Sequence, residues 1–95
     1  KPETKENPEV RARLDEIAQQ EAVIIRRQQT LSNELKDANE SYETYGHGYD
    51  KEDFFRQHFP HLVEKLIEYQ NIESQKRRFL VEKMRLRPRL NTPAT

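Results

Sequence analysis

The feature that most constrains this chain is a long stretch, Val10 to Tyr45, that contains neither proline nor glycine. Apolar residues recur along it in alternating steps of three and four, which is the spacing of one face of an α-helix. This face is formed by Val10, Leu14, Ile17, Ile24, Leu31, Leu35, Ala38, Tyr42 and Tyr45. A helix of this span would be about 55 Å long, so it requires a partner helix along its length.

The composition indicates extended helices and not a large globular core. Of the 95 residues, 33% are hydrophobic and 36% are charged, and the mean hydropathy is -1.17. Globular domains usually contain about 45–50% apolar residues, whereas helices that each bury one narrow stripe need fewer. The length allows one domain at most, and we find no internal repeat and no alternating pattern typical of strands.

Three absences bear on the compartment. The chain contains no cysteine, no apolar run approaching the ~20 residues of a membrane span, and nothing that resembles a signal peptide. We therefore expect an intracellular protein, cytoplasmic or nuclear. Because the chain begins at Lys1 and not at a methionine, we interpret it as part of a longer protein.

The predicted elements follow from local start and stop signals. Asn7 before Pro8 is a favourable helix start. Gly46 and Gly48 are the only glycines and can end this helix, after which Asp50 can cap the next one. The predicted order is a flexible leader (1–8), a helix (9–45), a corner (46–50), a short helix (51–58), a second long helix (60–87) and a flexible tail (88–95).

These elements predict an all-α fold, an antiparallel and coiled-coil-like helical hairpin over residues 9–87. Two long helices joined by a compact corner lie side by side. Each apolar stripe is widened by extra residues, such as Ile25 on the first helix and Val63 on the second. Because a soluble protein seldom leaves a large apolar patch in water, we expect the hairpin to assemble into a four-helix bundle or to dock on another protein's helices.

Two polar residues, Glu21 and Gln28, interrupt the apolar face of the first helix. One interpretation is that they fix the register or select the partner, at a cost in stability. The other is that the helix drifts, so that Ala18 and Ile25 take over the contact. A hypothetical register gives three pairings between the helices: Leu35 with Ile67, Gln28 with Ser74, and Glu21 with Arg77 or Arg78.

The function predicted from this pattern is a non-enzymatic oligomerisation or scaffold domain that mediates protein-protein interaction within an intracellular regulatory complex. Its partner would be a second copy, forming a homodimer, or a helical subunit of a complex. The predicted interface residues are Leu14, Ile17, Glu21, Ile24, Ile25, Gln28, Leu31, Leu35, Leu62, Leu66, Tyr69, Phe79 and Leu80. An alternative is a monomeric recognition module that binds a partner helix or a small GTPase over the same stripe.

The corner is rich in aromatic side chains, namely Tyr42, Tyr45, Tyr49, Phe54, Phe55 and Phe59. They can form a small core that closes the end of the hairpin. They can also anchor a partner, since aromatic side chains dominate the energetics of many interfaces. Both roles coexist if Phe54 packs inward while Phe55 faces a partner. The possible partner anchors are Tyr49, Phe54, Phe55 and Phe59.

Charge is distributed unevenly along the chain. Residues 1–75 carry ten basic and sixteen acidic side chains, a net −6, whereas residues 76–95 carry seven and one, a net +6. The basic segment Lys76 to Arg89 can be a solvated helix face, a surface for nucleic acid or an acidic membrane, or a contact for an acidic protein. Its cations are expected to wrap around the helix, and its possible anion contacts are Lys76, Arg77, Arg78, Arg85 and Arg87.

The sequence contains little that indicates enzymatic chemistry. No phosphate-binding glycine loop, no nucleophile elbow and no pair of acids in an apolar setting is visible. His47, His58 and His61 lie near the corner, but Pro60 separates two of them, and histidines beside a turn are usually solvated or capping. We therefore expect no catalytic residue, no metal ligand, no cofactor, no small-molecule substrate and no membrane span.

Overall fold

The structure, a computed structural model, describes residues 4–93 of the chain. Its elements in chain order are a strand β1 (Thr4–Glu6), helix α1 (Pro8–Tyr45), helix α2 (Lys51–His58), a 3-10 turn (Pro60–Leu62), helix α3 (Val63–Leu90) and a strand β2 (Asn91–Pro93). The all-α prediction is confirmed, since the structure is 89% helical and the two long helices, α1 and α3, pack against each other.

The start of α1 is set by its capping residue. The side-chain Oδ1 of Asn7 accepts hydrogen bonds from the backbone N–H groups of Glu9 at 3.0 Å and Val10 at 3.3 Å. These donors have no partner inside the first turn of a helix, and capping removes the cost of leaving them unpaired. Pro8 takes the first helical position, where a missing N–H costs nothing.

Two glycines shape the corner after α1. Gly48 has a φ of +87°, a left-handed conformation that residues with a Cβ rarely adopt. Gly46 is required by space, because a Cβ there would approach the carbonyl oxygen of Tyr42 to 2.7 Å. Asp50 then caps α2, accepting from the backbone N–H of Asp53 at 3.1 Å. The corner therefore has little tolerance for substitution at either glycine.

The structure differs from the sequence-based expectation at both chain ends. α3 continues beyond Arg87 and through Pro88 to Leu90, whose carbonyl accepts a hydrogen bond from Asn7 N at 2.7 Å. β1 and β2 then pair antiparallel, with Lys5 opposite Thr92, where a flexible leader and tail were expected. Strands of three residues are too short to show an alternating pattern. Residues 1–3 of the predicted leader and 94–95 of the predicted tail lie outside the described residues.

The chain divides into two compact units. The terminal unit contains the residues up to Ile24 together with those from Ser74 onward, and the corner unit is Ile25–Glu73. In the terminal unit α1 and α3 bury Ile17 (0% exposed) and Phe79 (4% exposed) between them. A bidentate pair joins the same helices, in which Arg13 Nε and Nη2 donate to Glu82 at 2.5 and 2.8 Å.

The corner unit has its own core, in which the large side chains with almost no exposed surface are Leu31, Leu35, Phe55 and Leu66. Arg27 binds Glu68 at 2.6 Å and Lys65 binds Glu34 at 2.5 Å across α1 and α3. Within this unit the paired positions rise on α1 as they fall on α3, so the two helices run antiparallel.

The apolar face of α1 described above, which we call the α1 seam, contains the polar residues Glu21 and Gln28. Both face α3, so the interpretation that the helix drifts at these positions is wrong. Gln28 is buried in the corner unit, where its Nε2 donates to the Glu73 carboxylate. Ala18 and Ile25, the residues expected to replace the polar positions in the contact, are both exposed. The α1 seam continues without a shift through Glu21 and Gln28, because each of these polar side chains has a polar partner on α3.

The hypothetical register is close in the corner unit and wrong for Glu21. Gln28 pairs with Glu73, one position from the expected Ser74. In the terminal unit, however, Glu21 binds Lys83 at 2.8 Å, whereas the expected partners Arg77 and Arg78 were both on the other side of α3. Lys83 is four positions from buried Phe79, which places it on the packed side of the helix.

Candidate protein interaction surface

The most unusual surface of the terminal unit is an apolar stripe on the solvent side of α3. Leu80 is 51% exposed, Val81 47% and Met84 63%, and we call these three residues the outer apolar stripe. Met84 is four residues from Leu80 and three from Val81, so its side chain is the neighbour of both on the helix surface. Phe79, one position before Leu80, is buried on the opposite side, so this part of α3 is apolar on two sides. An amphipathic surface helix usually has one apolar side facing the core, so the second apolar side is the unusual feature.

Three arginines border the outer apolar stripe, and we call Arg77, Arg78 and Arg85 the arginine border. Together with Ser74, Val81 and Glu82 they line a shallow depression of about 650 Å³. Arg77 Nη2 donates to Ser74 Oγ at 3.1 Å, and Arg78 Nη2 donates to Gln75 Oε1 at 2.6 Å. Both hydrogen-bond partners are neutral, so these bonds leave the positive charge of the guanidinium groups uncompensated.

The one carboxylate in this depression is already engaged. Hydrogen bonds from the Arg13 guanidinium hold the pKa of Glu82 below its ordinary value, and raise the pKa of Arg13 in return. Glu82 is therefore ionised at neutral pH, and its charge is paired with Arg13 of α1. The arginine border consequently presents a net positive surface to solvent.

The basic residues of α3 are distributed around the helix, as expected, but three of them lie together. Arg77, Arg78 and Arg85 share one side of the helix, since residues one and eight positions apart recur within about 100°. The remaining cations are placed elsewhere: Lys83 binds Glu21, and Arg87 lines a separate depression with Leu14 and Asp15. Lys76 is half-buried and has an interaction partner of its own.

Six of the thirteen residues predicted for an external interface lie in the chain's own core, and five more are half-buried. The buried ones are Ile17, Gln28, Leu31, Leu35, Leu66 and Phe79, and the half-buried ones are Leu14, Glu21, Ile24, Leu62 and Tyr69. Only Ile25 and Leu80 of the predicted set are exposed. The second helix therefore covers more of the α1 seam than expected, and the exposed members of the predicted set are one residue on each long helix.

A second apolar feature of the terminal unit is a groove between α1 and α3. Its volume is about 460 Å³, and its lining is Gln19, Gln20, Val23, Ile24, Gln75 and Phe79. Val23 is 65% exposed, and the sequence analysis did not select it. The available signal was its position in the run Val23-Ile24-Ile25, where three consecutive apolar residues cannot all face the seam.

The corner aromatics form the expected small core, which involves Phe54 and Phe55 most deeply. Phe55 is completely buried and Phe54 is 7% exposed, so the expectation that Phe55 faces a partner is wrong. Phe54 packs edge-on against Tyr42 with ring centroids 5.3 Å apart, and Phe59 contacts both phenylalanines. Of the possible partner anchors, Tyr49 alone is exposed, at 66%.

The other chemical possibilities can be checked against the part of the chain that the structure describes. Within residues 4–93, no three His, Asp or Glu side chains are grouped so that they could hold a metal ion. The His58 ring lies tilted against Phe54, with centroids 4.5 Å apart, beside a cleft of about 630 Å³. None of the described helices combines the length and the apolar character needed to cross a membrane.

Comparison of the chain with protein-family models, with curated proteins and with solved structures found no match.

Proposed function

We propose that this chain is a non-enzymatic oligomerisation module that associates with a second copy of itself through the outer side of α3. The observation that supports the proposal is the outer apolar stripe of Leu80, Val81 and Met84, which is exposed on a helix whose opposite side is already packed. Covering this stripe with a helix of a second hairpin gives the helix-on-helix packing of a four-helix bundle. A two-fold axis lets each copy present the same surface.

The size of the outer apolar stripe limits how much free energy it can contribute to association. Burying a whole Leu, Val or Met side chain contributes about 1.5–3 kcal/mol, and these three residues are already about half covered. Two copies together would gain roughly 6 kcal/mol from the stripe. Association costs an estimated ~4–15 kcal/mol in lost freedom, so the stripe alone does not hold two copies together at micromolar concentrations, and further contacts must contribute.

A monomeric recognition module that binds the helix of a different protein would use the same stripe. The two functions differ in the oligomeric state of the isolated chain. A module that recognises another protein stays monomeric at concentrations where an oligomerisation module associates.

The test uses Leu80→Glu and Met84→Glu, which place a charge in the stripe without disturbing the packed side of α3. We expect each variant to sediment as a monomer at concentrations where the unmodified chain forms dimers, because a buried unpaired carboxylate opposes association. Ala22→Glu is the matched control, since it adds the same charge at an exposed position of α1 in the same unit. Association that survives both stripe variants would rule out this surface.

A further inference from the structure

We infer that the arginine border of one copy pairs with an acidic side of α1 in the corner unit of the second copy. This inference rests on the proposed self-association and names the second half of the interface. The acidic side consists of Asp37, Glu40 and Glu43.

The two units carry opposite net charges. The terminal unit holds eleven basic and seven acidic side chains, a net +4, and the corner unit holds six and ten, a net −4. A surface of one sign attracts a surface of the other and repels its own kind. Copies of this chain are therefore favoured to associate with the terminal unit of one against the corner unit of the other.

Within the corner unit, Asp37, Glu40 and Glu43 are the best placed acceptors. All three are exposed, and steps of three residues place them along one side of α1. Two other acids of the α1–α3 side of this unit are already paired, Glu34 with Lys65 and Glu68 with Arg27.

The three acceptors differ from these paired acids. None of the three forms a salt bridge with any residue between 4 and 93. Their charge is thus available to a partner, as is that of the arginine border.

Symmetry doubles the contact. In a two-fold dimer, if residue i of the first copy contacts residue j of the second, then residue j of the first copy also contacts residue i of the second. The arginine border and the acidic side of α1 would thus meet twice. Arginine is suited to this role, because its planar fork can donate two hydrogen bonds to one carboxylate.

The surroundings of the arginines favour a protein surface over nucleic acid. Val81 lies in the middle of the arginine border, and Leu80 and Met84 are adjacent to it on α3. Apolar side chains between cations match an amphipathic helix with acidic flanks, whereas a phosphate backbone is bound mainly by cations and polar groups.

The experiment is a charge exchange in the full chain, measured by sedimentation velocity. One variant carries Arg77→Glu, Arg78→Glu and Arg85→Glu, and the other carries Asp37→Lys, Glu40→Lys and Glu43→Lys. Each variant alone opposes like charges at the interface, so we expect its dimer to be at least ~10-fold weaker than that of the unmodified chain. Circular dichroism establishes that both variants keep their helical content.

Mixing the two variants is the decisive step. Each acidic surface then meets a basic one in both halves of the dimer, so we expect a heterodimer of about wild-type strength that weakens as salt is raised. The neutral triple variant Arg77→Gln, Arg78→Gln and Arg85→Gln should give an intermediate dimer, and it replaces the reversed variant if that one fails to fold.

The outcomes separate this inference from the proposed function. Variants that dimerise as well as the unmodified chain, or a mixture that stays monomeric, would overturn the charge pairing while the self-association stands. An unmodified chain that is monomeric would overturn both. Dimers that dissociate on addition of duplex DNA, with the DNA bound through the same arginines, would also overturn the pairing and assign the arginine border to nucleic acid.

Discussion

Glu21 and Lys83 form an ion pair between α1 and α3 of the terminal unit, with Lys83 Nζ 2.8 Å from a Glu21 carboxylate oxygen and only about a fifth of each side chain exposed (20% and 21%). The pair occupies a seam position where an apolar residue would pack more favourably. Partly buried ion pairs often add little stability over an apolar pair, but removing one partner leaves a charge uncompensated. We interpret this pair as a device that favours one alignment of the two helices over others.

The first prediction concerns this pair. Glu21→Leu alone should lower the free energy of unfolding by about 1–2 kcal/mol, because Lys83 keeps its charge in a site that is mostly covered. The double variant Glu21→Leu with Lys83→Leu should regain that loss or exceed the stability of the unmodified chain. Urea denaturation of the single and double variants measures this, and a double variant less stable than Glu21→Leu would contradict the interpretation.

The second prediction compares two neighbouring seam residues of the corner unit. Gln28→Leu should change the free energy of unfolding by less than about 1 kcal/mol, since the lost hydrogen bond to partly exposed Glu73 is offset by apolar packing. Leu31→Ala should cost about 2–5 kcal/mol, because Leu31 has no exposed surface and its loss leaves a cavity. Thermal and urea unfolding measure the loss of stability in each variant. A loss for Gln28→Leu as large as that for Leu31→Ala would contradict the prediction.

The third prediction addresses the corner core. Phe55→Ala should lower the free energy of unfolding by about 3–5 kcal/mol, because the side chain is completely buried. Tyr49→Ala is the control, since this aromatic side chain is 66% exposed and its removal should cost less than about 0.5 kcal/mol. Equal losses for the two variants would show that the corner packs differently from the structure.

The fourth prediction is a dependence on pH. The Arg13 guanidinium holds the pKa of Glu82 below its ordinary value of 4.5, so the folded state binds this proton less readily than the unfolded state. The stability that results is present above the ordinary value and is lost as the pH falls through the lower folded value.

Glu82→Gln should therefore flatten the decline in the urea midpoint between neutral and acid pH, and the change should be small because the pair is partly exposed. Glu43→Gln is the control, as this carboxylate has no salt bridge within the described residues. An acid decline that is the same in all three proteins would contradict the role given to Arg13.

The pairing of the long helices was predictable because the apolar period of α1 is regular. Leu31 and Leu35 are buried as the spacing predicts, and the signals at Asn7 and Asp50 coincide with observed caps. The short strands were not predictable, because pairing Lys5 with Thr92 depends on chain ends that are distant in sequence.

The surface was harder to predict than the fold. Periodicity indicates which residues can share a face, but Phe79 and Leu80 are adjacent in sequence and only the packing determines which one is exposed. The same reason explains why Phe55 was expected to face a partner and is in fact buried. Sequence reasoning therefore found Leu80 but missed Val81 and Met84 as parts of one stripe.

The central claim, that the outer side of α3 joins two copies, is tested most directly by sedimentation equilibrium of the unmodified chain beside Met84→Glu. The account predicts that the unmodified chain gives a dimer mass at tens of micromolar, an affinity that requires the charge pairs of the arginine border in addition to the outer apolar stripe. It predicts a mass of about 11.5 kDa, the monomer value, for Met84→Glu at the same concentrations. A monomer mass for the unmodified chain throughout this range would contradict the claim.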